Sequence, residues 1–354
     1  MALVLAIAIG LWALGHALGA PRGARMAMLG LLYLGVVAAH LTLPAGHALR
    51  QATGGSAGEW LVVGGLAALV WGYARLLARV GARARTDDRA SAATGPGAAT
   101  GPGGFGAGEI TRYARHIVLR DIGGPGQTQL KAARVLVIGA GGLGAPVLQY
   151  LAGAGVGTIG VVDHDTVEAS NLQRQVIHGN DWIGKPKVFS AQAAIAALNP
   201  FTVVRPYHRA FTADIADALL ADYDLVIEGT DDLTIKYTAN AAAAAWGIPL
   251  VMGAVSQWEG QLATYAPADG GPCYACVFPN APAEGLGATC AEAGVLGPLP
   301  GIIGTMMAAE AVKEITGAGQ GLRGRLMLYD ALYADSRVIT THRRPDCAVC
   351  GPNR

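Results

Sequence analysis

The chain has 354 residues, room for one large domain or two smaller ones, with a formal net charge of +1 and only 14% charged side chains. That balance excludes the broad basic field of a nucleic-acid-binding surface, so no nucleic-acid partner is expected. Hydrophobic residues reach 52%, and the excess lies at the amino-terminal end.

Residues 1–21 and 26–49 carry no charged side chain, and each has the roughly 20 apolar residues that cross about 30 Å of hydrocarbon. A third run, Trp60 to Val80, is uncharged as far as Ala74, with Arg75 and Arg79 placed to snorkel toward headgroups. A cleaved signal peptide is disfavoured because the first run has no basic leader and two more apolar segments follow. Arg22 and Arg25 lie in the first loop, Arg50 faces Glu59 in the second, and Arg83, Arg85 and Arg89 follow the third run. The positive-inside rule then predicts three spans in the cell inner membrane, the N-terminus outside and the remainder cytoplasmic. His16, His40 and His47 have no acidic partner in the spans and read as tolerated neutral imidazoles. Residues 1–80 are thus expected to be an all-α transmembrane region, and 81–108, rich in Gly, Ala and Pro, a flexible linker.

The remaining 109–354 read as an enzyme domain. "ARVLVIGAGGLGAPVLQYLAGAGVGTIGVVDHD" alternates a β-branched run, a glycine loop, a helical stretch and a second β-branched run ending in Asp163. Gly139, Gly141 and Gly144 form the G-x-G-x-x-G pattern between strand and helix, where backbone N–H groups can approach a phosphate. A helix over 186–198, a strand near 202–207, a strand ending at Asp231 and Asp232, the strand "IPLVMGAV" and an antiparallel "WEGQLATYA" follow. The predicted fold is a Rossmann-like α/β domain, its sheet mostly parallel with an antiparallel extension. Gly141, Asp163 and Asp231 fall at carboxyl ends of strands, where ligands of such sheets bind.

Five cysteines complete the pattern. Cys273 and Cys276 form one CxxC, Cys347 and Cys350 another, and together they offer the four thiolates of a structural zinc site. Cys290 is left over in a Gly/Pro-rich stretch, where a buried small hydrophobe and a nucleophile are both open readings.

These stretches, together with "RYARHIVLRD", "EASNLQRQVIHG", "GKPKV", "LNP" and "EGTDD" in the same order, resemble the MoeB/ThiF/HesA group of ubiquitin-activating-type adenylyltransferases. The resemblance implies that ATP occupies the crevice and that a carrier protein's C-terminal carboxylate attacks its α-phosphate. It implies that Gly142 belongs to the phosphate loop and that Asp163 holds the ribose. Asn171, Arg174 and Lys187 would contact phosphates, with Ser170, Leu172 and Gln173 in the same nucleotide-binding stretch. Asp231 would hold Mg²⁺, assisted by Asp165, and Asp232 would adjoin the nucleotide where the group usually has Asn. Arg115 would enter the neighbouring subunit's site, so a homodimer is implied. Cys290 would align with a cysteine that in some relatives links covalently to the carrier or its sulfur.

The implied partner is a small ubiquitin-like sulfur carrier ending in Gly-Gly, activated for molybdopterin or thiamine-type sulfur transfer. The chain stops at Arg354 without a rhodanese-like domain, so the sulfur donor is expected in trans. Adenylation of a small-molecule or tRNA-borne carboxylate is the alternative within the same chemistry, with a silent scaffold and an NAD-dependent oxidoreductase outside it. The oxidoreductase reading lacks an evident acid–base histidine, since His178 is near the motif only in sequence. Asp165, Asn171 and Arg174 are also surplus to hydride transfer, whereas positive charge suits nucleotidyl transfer.

Overall fold

The computed structural model describes residues 2–44, 46–66, 69, 72–73, 104–280 and 294–351. The chain divides into two compact units, Met1–Ala93 and Thr94–Arg354.

In the first unit the described helices are α1 (Ala2–Ala17), α2 (Arg22–Thr42), α3 (Ala48–Thr53) and α4 (Ala57–Leu66). Gly23–Thr42, within α2, is the one described helical stretch long and apolar enough to cross a membrane, with 11% of its most apolar window buried. The first expected span is a helix of 16 residues, about 24 Å at 1.5 Å per residue and shorter than the hydrocarbon core. It stops before Gly19 and Pro21, which interrupt the apolar run. Most of the third expected span beyond Leu66 lies outside the described residues. His40 is buried and hydrogen-bonds through Nε2 to Thr53 Oγ1 at 2.8 Å, which fits a tolerated imidazole.

The second unit starts earlier than 109. Phe105, read as linker, is buried edge-on against Tyr113, and Lys131 Nζ donates to the Gly104 carbonyl. One large ring in a glycine-rich stretch is enough to seat it. Helices α5 (Ala107–Ile117) and α6 (Gly123–Ala132) then lead into β1 (Arg134–Ile138), α7 (Gly144–Ala154), β2 (Thr158–Val162), α8 (Lys187–Leu198) and β3 (Val203–Tyr207). After α9 (Ala213–Leu220) come β4 (Leu225–Glu228), α10 (Leu233–Trp246), β5 (Leu250–Val255), β6 (Glu259–Tyr265) and α11 (Tyr274–Val277). The last elements are α12 (Pro298–Thr316), β7 (Arg325–Asp330) and β8 (Asp335–Thr340).

The eight strands form one sheet in the order β3-β2-β1-β4-β5-β6-β7-β8. Neighbours from β3 to β5 are parallel, and those from β5 to β8 are antiparallel. This is the expected parallel sheet with its antiparallel extension. β1 reads "RVLVI" because both faces are covered. Val135 and Val137 pack toward α7, α8 and α12, while Leu136 and Ile138 join the core formed with α9 and α10.

Candidate active site

The chain winds outward from β1 to β2 and β3 on one side and from β4 to β5 on the other. The reversal opens a crevice between the carboxyl ends of β1 and β4. Ile138 is in register with Val162 on β2 and Glu228 on β4, so Gly139, Asp163 and Gly229 leave the sheet side by side.

The glycine loop turns at Gly139, whose φ of +94° lies where L side chains are strained. A Cβ at Gly144 would stand 1.9 Å from the Gly139 carbonyl oxygen, so α7 can start so close to the strand only with glycine there. The Ala140 N–H donates to Asp163 Oδ2 at 2.7 Å, and the Asp165 N–H donates to Asp163 Oδ1 at 2.8 Å. Asp163, expected at a ribose, therefore also anchors the loop. Among the described residues the N–H groups of Gly141 and Gly142 have no acceptor, which leaves them free for an anion at the start of α7.

Cationic groups reach the same place from the segment after β2. Arg174 Cγ lies 3.7 Å from the Cβ position of Gly142, and Arg174 Nη1 donates to the Ser170 carbonyl at 3.1 Å. Asn171 is buried, and its Oδ1 accepts from the Glu168 N–H. Lys187 begins α8 with a side chain only 6% exposed, its Nζ 2.7 Å from Asp165 Oδ2. A buried ammonium needs a counter-ion. Asp165 pairs with Lys187 through Oδ2, and its side chain is half exposed beside Asp163 and His164. Ser170 is exposed with its hydroxyl on Glu168, and Gln173 lies against Gly297. Among the described residues no hydrogen bond or ion pair joins these two or Leu172 to the loop.

At the end of β4, Asp231 is exposed and has no partner among the described residues, as a carboxylate free for Mg²⁺ would be. Asp232 has another task, because its Oδ1 accepts from the N–H groups of Thr234 and Ile235 and caps α10. The departure from Asn is conservative for a cap. Sequence reasoning missed the groups behind Asp231. Glu228, fully buried, accepts from the Thr230 N–H and hydroxyl and pairs with buried Lys236 at 2.5 Å. Lys236 Nζ also donates to the Gly253 carbonyl at 2.8 Å. The available signal was an acid closing an otherwise apolar core strand, which demands a partner.

His178 is not an acid–base residue at the surface. It is buried, with Nε2 2.9 Å from the Ala140 carbonyl and Nδ1 2.9 Å from Ser190 Oγ. Burial pushes its pKa below the ordinary imidazole value, neighbouring Lys187 adds to the fall, and the Ala140 hydrogen bond and Asp163 oppose it.

Arg115 sits elsewhere. Its helix α5 packs by Tyr113 on Gly155, beyond the end of α7, where Asn199 Nδ2 donates to the Tyr113 hydroxyl at 2.8 Å. Those helix ends lie at the amino edge of the sheet, so exposed Arg115 does not meet the crevice of its own chain. Cys290 lies outside the described residues.

Cys273, Cys276, Cys347 and Cys350 come together, all buried, with sulfurs within 4.8 Å of one another and closest separations of 3.4–3.8 Å. Tetrahedral Zn–S bonds of about 2.3 Å require S···S distances of about 3.8 Å, so the four thiols fit a zinc ion. Burial raises the Cys273 thiol strongly. At Cys347 burial acts the same way, but the N–H groups of Cys350 and Val349 and the other thiols outweigh it and bring it down to about 7.

The ThiF family model matches residues 113–349. The sulfur carrier protein adenylyltransferase of Thermus thermophilus is 48% identical over 247 residues, covering 69% of this chain and 91% of that protein. The SAMP-activating enzyme E1 of Haloferax volcanii is 45% identical over 245 residues, with 69% and 90% covered. The adenylyltransferase and sulfurtransferase MOCS3 of Bos taurus is 48% identical over 244 residues, and this chain spans 53% of its length. Among solved structures, E. coli MccB with MccA-N7isoASN superposes with a TM-score of 0.61 at 22% identity over 68% of this chain and 74% of that one, a likeness of fold alone. By its family match and these relatives, the chain belongs to the ThiF family.

Proposed function

We propose that the chain is an adenylyltransferase that uses ATP to activate the C-terminal carboxylate of a small ubiquitin-like sulfur carrier. The observation that carries this reading is the convergence on one crevice of the free Gly141 and Gly142 N–H groups, Lys187, Arg174 and unpartnered Asp231. A carboxylate oxygen of the carrier forms a bond to the α-phosphorus while the bond to the bridging α–β oxygen breaks. Pyrophosphate leaves with that electron pair, and the acyl-adenylate remains. The loop N–H groups hold phosphate oxygens, and Arg174 and Lys187 offset charge on the leaving group. Mg²⁺ at Asp231, when bound, supplies further charge neutralisation.

A cavity of about 410 Å³ opens on the sheet face at the carboxyl end of β5, lined by Ala254, Ser256, Gln261, Tyr329 and Arg337 among others. It offers the carrier's tail an approach beside the end of β4. The carrier reading is favoured over a small-molecule or tRNA-borne carboxylate by the names of the relatives at 45–48% identity; the structural likeness to MccB adds only the fold. The product would feed molybdopterin or thiamine-type sulfur transfer. The four thiols hold zinc, the enzyme acts as a homodimer in which Arg115 serves the partner's crevice, and the first unit tethers it to the membrane.

The test is ATP–pyrophosphate exchange with small carriers ending in Gly-Gly. Exchange depends on such a carrier, and Arg174→Ala and Arg115→Ala each lower it by on the order of 100-fold. In a mixture with re-equilibrated subunits, about a quarter of wild-type activity returns, because a two-fold dimer with one variant of each kind has one intact site. Exchange without any carrier, or a wild-type rate in Arg174→Ala, overturns the activity; no recovery on mixing overturns the shared site.

A further inference from the structure

Three segments that build the crevice meet at one buried ring. His178 follows the Asn171–Arg174 segment, to which backbone bonds tie it, His178 N–H to Gln175 O and Gln175 N–H to Asn171 O. Its Nδ1 reaches Ser190, one turn along α8 from Lys187, and its Nε2 reaches the carbonyl of Ala140 inside the phosphate loop. A carbonyl can only accept, so Nε2 carries the proton and Nδ1 accepts from the Ser190 hydroxyl. In a trans peptide the C=O and the following N–H point in opposite directions, and the chain has no cis peptide bond among the described residues. Fixing the Ala140 carbonyl on His178 therefore turns the Gly141 N–H away from the ring, and that N–H has no other acceptor among the described residues. On the other side, the Ala140 N–H is pinned to Asp163.

We propose that His178 is a positioning residue which, by donating from Nε2 to the Ala140 carbonyl, aims the Gly141 N–H at the phosphates of the bound nucleotide. It rests on the reading that ATP occupies this crevice. His178 touches neither nucleotide nor carrier; it acts through one peptide plane. Burial keeps the ring neutral, as the hydrogen-bond pattern requires.

The experiment compares binding of Mg-ATP and of adenosine to the full chain and its variants. Gln places its amide nitrogen near Nε2 and keeps the donor, whereas Asn places its amide near Nδ1 and loses it. His178→Asn is expected to weaken ATP by about 10- to 100-fold, the range for losing a hydrogen bond to a charged group, with adenosine within about twofold of wild type. His178→Gln is expected to stay within about threefold for both. Should His178→Asn unfold, Ser190→Ala reads the same ratio, because the freed ring weakens ATP by about 3- to 10-fold and leaves adenosine unchanged. Unchanged ATP affinity in His178→Asn, equal losses for both ligands, or no rescue by Gln overturns the positioning role. A wild-type chain that binds neither ligand overturns instead the assignment of the crevice to ATP.

Discussion

Glu228 and Lys236 show how a residue remote from the reacting atoms sets one that meets them. Both are buried, and the carboxylate that pairs with Lys236 also holds the Thr230 N–H and hydroxyl, fixing the turn that presents Asp231. A buried ion pair adds little net stability over a well-packed apolar pair, yet removing one partner strands a charge at a cost of about 3–5 kcal/mol. Glu228→Gln and Lys236→Met are each expected to lower the unfolding free energy by about that amount, and the double variant by much less than their sum. Urea unfolding of the three variants checks this. Additive losses would mean that the two side chains act independently, against the geometry.

At the scale of elements, what could be read from the chain followed from hydrophobic period and turn chemistry. The βαβ unit, the helix at 187–198 and the switch to an antiparallel strand at 259–265 have strong local signals. The four cysteines were legible from their paired CxxC spacing, and the positions of Gly139, Asp163 and Asp231 followed from those elements. The roles of Glu228, Lys236, His178 and Ser190 did not, because a buried polar side chain is defined by partners 8 to 38 residues away. Nor did the capping role of Asp232, which depends on where α10 begins. The meeting of the four thiols depends on tertiary placement, joining the short helix α11 to the tail after β8. Tyr274, between the first two cysteines, packs on Tyr237, Tyr265 and Phe278. The aromatic cluster and the four thiols therefore support each other, and an ion held by the thiols would brace both. The protein is expected to contain one zinc per chain, and Cys347→Ser or a strong chelator to lower its Tm by on the order of 10 °C. Metal analysis alongside thermal melts decides it. A metal-free protein with an unchanged melt would leave the four thiols as packing only.

For the whole molecule, the two units differ in how their apolar side chains are covered. α2 presents Met26, Leu31, Leu34 and Leu41 outward, α1 presents Leu3, Leu5, Ile9 and Leu14, and the first unit covers little of either helix. An apolar exposure of that size is an aggregation liability in water, and in hydrocarbon it is a matched surface. The second unit has two large apolar cores, one on each face of the sheet. Gly23–Thr42 has 20 residues, about 30 Å of helix, enough for the bilayer interior without tilt. Arg22 and Arg25 stand at its amino end, the end that the positive-inside rule places in the cytoplasm. The full chain is expected to sediment with membranes and to resist alkaline carbonate, while a chain starting at Gly104 stays in the supernatant with its nucleotide affinity intact. Release of the full chain by carbonate would reduce the first unit to a peripheral contact, and recovery in the soluble fraction without detergent would remove the tether altogether.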